Sequence, residues 1–92
     1  MSELLHWRRA PAWHLGAVDG TDRPALLQVW EAAVRATHHF LAEEDIQFYR
    51  RMLAEQYFDL VRLTCLRDER GRVLGFCGTA EDRLEMLFVD PA

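Results

Sequence analysis

Apolar residues recur along this chain with two different periods, three to four in its middle and two toward its end, and the switch between them sets out the elements. The run from Ala12 to Val18 (AWHLGAV) is short and apolar. It is closed by Asp19, Gly20 and Thr21, which predicts a strand followed by a loop. Thr21 or Asp22 can then cap a helix, and Pro24 falls in its first turn, where a missing N–H costs nothing. Leu26, Leu27, Trp30, Ala33, Val34 and Thr37 follow at helical steps, which predicts an amphipathic helix from Arg23 to Thr37. The segment HHFLAEED breaks that period. Its three acids, Glu43, Glu44 and Asp45, suit the positive end of a helix dipole, and Ile46, Tyr49, Leu53 and Tyr57 carry a second helix to about Tyr57, with Arg50 and Arg51 outward.

After Asp59 the pattern becomes extended. LVRLTCL and VLGFCGTA flank the polar turn RDERGR with its Gly71, which predicts a hairpin, and a third run, Arg83 to Val89 (RLEMLFV), ends at Asp90 and Pro91. The order strand, helix, helix, strand, strand, strand is that of an α+β fold, two helices against a mostly antiparallel sheet. Residues 1–11 (MSELLHWRRAP) show no clean period and are read as an N-terminal arm, residues 12–92 as the domain. No internal repeat is present.

Composition narrows the function. A chain of 92 residues, half of them hydrophobic, can hide roughly 60 to 65% of its unfolded surface, enough for one core and not for a two-domain enzyme. A net charge of -4 lacks the basic footprint that neutralises a phosphate backbone, which argues against nucleic acid as a partner. No apolar run reaches the roughly 18 to 20 residues that span a bilayer, and residues 1–9 carry charges where a signal peptide needs an apolar region, so no membrane association and a cytoplasmic location are expected. Cys65 and Cys77 lie in apolar segments and read as small buried hydrophobes in a reducing compartment, a structural disulfide being the alternative. Neither sits in a CxxC motif, and no histidine lies in HExxH, so no metal site is expected.

Four phrases carry a family resemblance: LLQVWEAAVRATHHFL (Leu26 to Leu41), EEDI (Glu43 to Ile46), EQY (Glu55 to Tyr57) and EMLFVDP (Glu85 to Pro91). In this order and spacing, covering about Leu15 to Pro91, the chain resembles the N-terminal part of the GNAT superfamily of N-acetyltransferases, closest to a bacterial subgroup. The resemblance implies a truncated GNAT-like fold, acetyl-CoA as cosubstrate, and acetyl transfer to an amine of a small molecule or peptide. In that family the strand ending in VDP runs into a Gly-rich turn whose backbone N–H groups and following helix cradle the cofactor pyrophosphate. Here the sequence reaches Ala92 without that turn, and the later strands are absent too. Gly71, Gly75 and Gly78 do not replace it, because their spacing falls across the hairpin, where they read as turn and strand glycines.

The resemblance also implies site residues. The cofactor's pantetheine arm would lie along the strand Glu85 to Val89 like an added strand, against the main chain of Leu87, Phe88 and Val89, with one N–H aimed at the thioester oxygen. Simple alternation puts Glu85, Leu87 and Val89 on one face and Leu84, Met86 and Phe88 on the other, leaving Glu85 as the one ionisable side chain. Glu85 is the candidate general base, acting directly or through water once burial has raised its proton affinity. The alternative is a carboxylate paired with Arg83 or Arg62. His38, His39 and Phe40, between the helices, would border the acceptor cleft. The alternative there is histidines serving exposed helix carbonyls. Trp30 and Phe40 read as core or cleft wall. No GxSxG elbow exists, and neither cysteine has a basic setting, which disfavours covalent catalysis.

Two functions compete on this sequence. In one, the chain is part of an acetyltransferase, completed by a C-terminal chain that carries the Gly-rich turn. In the other it is a non-catalytic folding, dimerisation or interaction module, whose last strand offers an exposed edge to a second copy.

Overall fold

A computed structural model describes residues 13–91; the N-terminal arm, residues 1–11, lies outside them. Strand β1 (His14–Ala17) leads into a 3-10 turn, Gly20–Asp22, whose opening is tied by Asp19: its carboxylate accepts from the Thr21 N–H at 2.8 Å, and Asp22 accepts from the Asp19 N–H at 3.0 Å. The expected cap on the first helix is therefore displaced. Asp22 makes no capping bond and instead pairs with Arg67 at 2.9 Å. Helix α1 (Arg23–Thr37) has the predicted bounds, with Pro24 in its first turn.

Helix α2 (Glu43–Glu55) opens on the predicted acids, and Asp45 accepts from the Ala42 N–H at 3.2 Å. It stops two residues short of Tyr57, because Tyr57–Leu60 tightens into a 3-10 turn that drives Phe58 into the core at 1% exposure. Arg50 is not purely outward. It bonds Glu31 of α1 at 2.6 Å, and Arg35 bonds both Glu31 (3.0 Å) and Glu43 (2.7 Å), so one small ion network ties the helices together.

Strands β2 (Arg62–Arg67), β3 (Val73–Ala80) and β4 (Arg83–Val89) complete an antiparallel sheet in the order β1-β2-β3-β4. Between β2 and β3, Asp68 accepts from the N–H groups of Arg70 and Arg72, both at 2.9 Å, and Gly71 takes φ +82°. Between β3 and β4 the turn rests on Glu81 and Asp82, at φ 52° and 63°, both in the left-handed region. Each strand of the second hairpin has one residue too many for its neighbour. Leu66 pairs with Gly75 but Arg67 with Val73, which leaves Leu74 as a bulge; Gly78 pairs with Met86 but Thr79 with Leu84, which leaves Glu85 as a bulge.

Both helices cover one face of the sheet. The row Gly16, Cys65, Phe76, Phe88 crosses all four strands on that side, with Phe58 edge-on to Phe76 at 5.8 Å and Phe76 against Phe88 at 5.7 Å. Leu26, Val29, Trp30 and Val34 of α1 and Ile46 and Leu53 of α2 close the core over it, which makes Trp30 core rather than cleft wall. The rows Leu15, Leu66, Gly75, Val89 and Ala17, Thr64, Cys77, Leu87 lie on the opposite face, which no described element covers. Cys65 and Cys77 are thus free and on opposite faces of adjacent strands, which rules out a bond between them. No helix among the described residues is long and apolar enough to cross a membrane.

Candidate functional site

Strand β4 is an edge: β3 pairs with one side of it, and no described strand pairs with the other. The N–H of Asp90 donates to the Leu74 carbonyl at 2.8 Å, which makes these residues a hydrogen-bonded antiparallel pair. Such pairs alternate along a ladder with pairs whose main-chain groups turn away. In the observed register Phe88 and Met86 therefore face their main chain to Phe76 and Gly78 of β3, and Leu87 and Val89 present theirs to the open edge. The three residues expected on the cofactor strand divide accordingly. Leu87 and Val89 carry the open N–H and carbonyl groups, while Phe88 anchors the strand through its ring in the core.

The bulge rearranges the side chains. Straight alternation groups Leu84 with Met86 and Phe88, but the extra residue at Glu85 shifts the pleat, so Leu84 falls beside Thr79 on the outer face with Leu87 and Val89. Those three are 59%, 60% and 57% exposed, whereas Met86 and Phe88 pack against the core. Glu85 itself is exposed, with Arg83 3.5 Å from its carboxylate. The burial expected for a tuned base is not there. Of its two expected pairing partners, Arg83 is the one it meets.

His38 caps the C-terminus of α1, donating its N–H to the Val34 carbonyl at 2.7 Å. Its Nδ1 lies 2.7 Å from the Thr37 hydroxyl, which in turn donates to the Ala33 carbonyl at 2.8 Å. The ring lies beside Phe40, with the centroids 5.6 Å apart. His39 and Phe40 are exposed, Phe40 by 80%, so this ring is not core. Among the described residues no hydrogen bond, ion pair or ring contact joins this loop to β4.

The glycines are structural. A Cβ on Gly75 would come within 2.9 Å of the Phe88 carbonyl oxygen, and one on Gly78 within 2.8 Å of both Met86 and Val61. These two let neighbouring chain pass close to β3, and Gly71 serves the hairpin turn. Cys65 is fully buried, and burial pushes its thiol up, which disfavours a thiolate nucleophile.

No family model matches the sequence, and no curated protein matches it. Solved structures do. The apo form of YjaB from Escherichia coli superposes with a TM-score of 0.74 at 24% identity, covering 88% of this chain. A GCN5-related N-acetyltransferase from Rhodopseudomonas palustris gives 0.67 at 15% identity over 88% of this chain. A GNAT family acetyltransferase from Brucella melitensis, solved in complex with acetyl-CoA, gives 0.59 at 21% identity over 86%. The fold is GNAT-like. This chain spans about half the length of the structures it matches, 54% of the first two and 55% of the third.

Within this GNAT-like fold the sequence reading missed one further feature, a groove of about 530 Å³ between the first half of α1 and the β2–β3 hairpin. Ala25, Val29 and Val73 line its apolar part. Two arginines reach it, each facing a carboxylate: Arg67 with Asp22 at 2.9 Å and Arg72 with Asp90 at 3.5 Å. The small side chain of Ala25 on the helix and the cations of RDERGR were its only trace in the sequence. With both guanidiniums neutralised, the groove has no free cation to attract an anion.

Proposed function

We propose that the chain is the cofactor-strand part of a GNAT-type N-acetyltransferase, which moves acetyl from acetyl-CoA to the amine of a small molecule or peptide. The open β4 edge carries this reading. It offers the outward main chain of Leu87 and Val89 in a GNAT-like fold, one example of which was solved with acetyl-CoA. An extended pantetheine arm, which bears its own amides, fits such an edge as an added strand.

Acetyl-CoA supplies the acetyl group as a thioester. The outward N–H of Leu87 or Val89 donates to the thioester oxygen, stabilising the charge that grows there as the amine attacks. Phe88 holds the edge in register through its contact with Phe76. Glu85, exposed at the bulge, accepts the proton that the amine loses, directly or through one water, with Arg83 beside it orienting the carboxylate; as the tetrahedral carbon collapses the carbon–sulfur bond breaks, and CoA leaves as a thiolate that takes up a proton from solvent. His38, His39 and Phe40 form the acceptor side, with the His38 ring oriented by Thr37. The pyrophosphate falls to a complementing C-terminal segment bearing the Gly-rich turn, since Gly71, Gly75 and Gly78 are committed to the hairpin and the sheet. Two free thiols suit a reducing, cytoplasmic setting.

Calorimetric titration of acetyl-CoA into wild type and Val89→Pro tests the reading. Proline removes an N–H that the β3 ladder does not use, so the strand is kept, which circular dichroism checks. The expected result is saturable binding in wild type, weaker by about tenfold in the variant, as befits the loss of one hydrogen bond. Absence of binding in folded wild type, or equal affinity in the two, overturns it. The second reading, a non-catalytic interaction module, is favoured by the exposure of Leu84, Leu87 and Val89.

A further inference from the structure

The last turn of α1 settles where one proton sits, and we infer that Thr37 is a positioning residue that fixes His38 as its Nδ1–H tautomer, leaving Nε2 a bare acceptor for the ammonium group of the acceptor substrate. The tautomer stands on the geometry of α1 alone; its use on a substrate rests on the proposed function.

A threonine hydroxyl has one proton and two lone pairs. Thr37 gives that proton to the Ala33 carbonyl, which can only accept, at 2.8 Å. The contact of the same oxygen with Nδ1 of His38, at 2.7 Å, then needs a proton from the ring, so Nδ1 carries the hydrogen and donates to Thr37. The other arrangement, with the hydroxyl turned to a bare Nδ1, would set two acceptors, Thr37 Oγ1 and the Ala33 oxygen, 2.8 Å apart with no hydrogen between them. A histidine side chain in water favours the hydrogen on Nε2, so Thr37 reverses the ordinary preference. The backbone is tied as well, through the His38 N–H on the Val34 carbonyl at 2.7 Å. Nε2 sits across the ring from the threonine and has no hydrogen-bond partner among the described residues. A neutral His38 thus presents its lone pair there, and a proton gained or lost by the ring is gained or lost at Nε2.

The surroundings suit a cation. Phe40 stands beside the imidazole and is largely exposed, and the face of such a ring attracts an ammonium. Arg35 and Arg50 are taken up by Glu31 and Glu43, whereas the exposed Glu44, next along the chain, is in no ion pair among the described residues. An alkylamine is a cation at neutral pH, and one of its N–H groups donates to Nε2 while its charge meets Phe40. A ring with its hydrogen on Nε2 would instead turn a donor toward that ammonium, so the tautomer decides between attraction and repulsion. The substrate class that follows is an alkylamine carried as its cation, rather than an aryl amine or an amide nitrogen.

Nitrogen-resolved NMR of protein labelled at histidine tests this on wild type, Thr37→Ser and Thr37→Val, with His38→Gln assigning the signals. The pH is about 8, where an ordinary imidazole is neutral and an alkylamine still cationic. Thr37 is exposed, and circular dichroism verifies the fold of each variant. Wild type and Thr37→Ser are expected to show the hydrogen on Nδ1 and a bare Nε2, and Thr37→Val to shift toward the Nε2–H form. A wild-type His38 with its hydrogen mainly on Nε2 overturns the inference, as does a Thr37→Val protein whose His38 keeps the wild-type tautomer. n-Butylammonium chloride, compared with sodium chloride at equal ionic strength, should move the Nε2 signal of wild type saturably, with affinity weaker by about threefold or more in Thr37→Val, since only the competent tautomer binds. A bare Nε2 that ignores n-butylammonium overturns the substrate class. Failure of acetyl-CoA to bind, by contrast, strikes the proposed function and leaves these signals as they are.

Discussion

Glu31 illustrates how single residues hold this small domain together. Burial alone would push its carboxyl up, but hydrogen bonds from Arg35 and Arg50 outweigh that and hold it below the ordinary carboxylate range. A carboxyl with a lowered folded-state pKa contributes stability that is present above its unfolded value, near about 4.3, and is lost as pH falls through the folded value. Glu31→Gln is therefore expected to destabilise the protein by about 1 kcal/mol at pH 7, as befits a part-exposed ion network, and by less near about pH 3. Urea unfolding at the two pH values checks this; an equal loss at both contradicts it. Such a role was invisible in the sequence, where Arg50 read as an outward charge, because the pairing runs between helices. Glu85 teaches the opposite lesson. Its place on the last strand was legible from the pattern, but its exposure was not, since alternation says nothing about an inserted residue.

At the level of elements, periodicity located both helices and all four strands, and its errors lie at the ends. α1 kept its predicted bounds because the apolar stripe, the proline and the break at His38 agree. α2 ended early because the recurrence at Tyr57 belongs to the following 3-10 turn, which buries Phe58 instead. The two bulges had no signal at all: an extra residue changes which side chains share a face without changing composition. The β3–β4 turn shows a related silence, as Glu81 and Asp82 adopt left-handed backbone that the sequence marks with neither glycine nor asparagine. Asp82→Gly is accordingly expected to relieve about 1 kcal/mol of that cost and to raise the melting temperature by about 4 °C or more. A melting temperature that stays put or falls would mean that Asp82 is held there by something more than the turn.

For the molecule as a whole, the sequence resemblance and the superpositions converge on one GNAT-like fold, of which this chain spans about half the length seen in its structural matches. One face of its sheet lies under two helices, and no described element covers the other from Leu15 to Val89. The candidate cofactor strand could be named in the sequence, but the division of labour within it, Leu87 and Val89 outward and Phe88 inward, needed the register. Residue-resolved amide hydrogen exchange tests that division most directly, with and without saturating acetyl-CoA. The account predicts slow exchange at Met86, Phe88 and Asp90 throughout, and fast exchange at Leu87 and Val89 that slows selectively when acetyl-CoA is added. Exchange at Leu87 and Val89 that is unchanged by acetyl-CoA would contradict it.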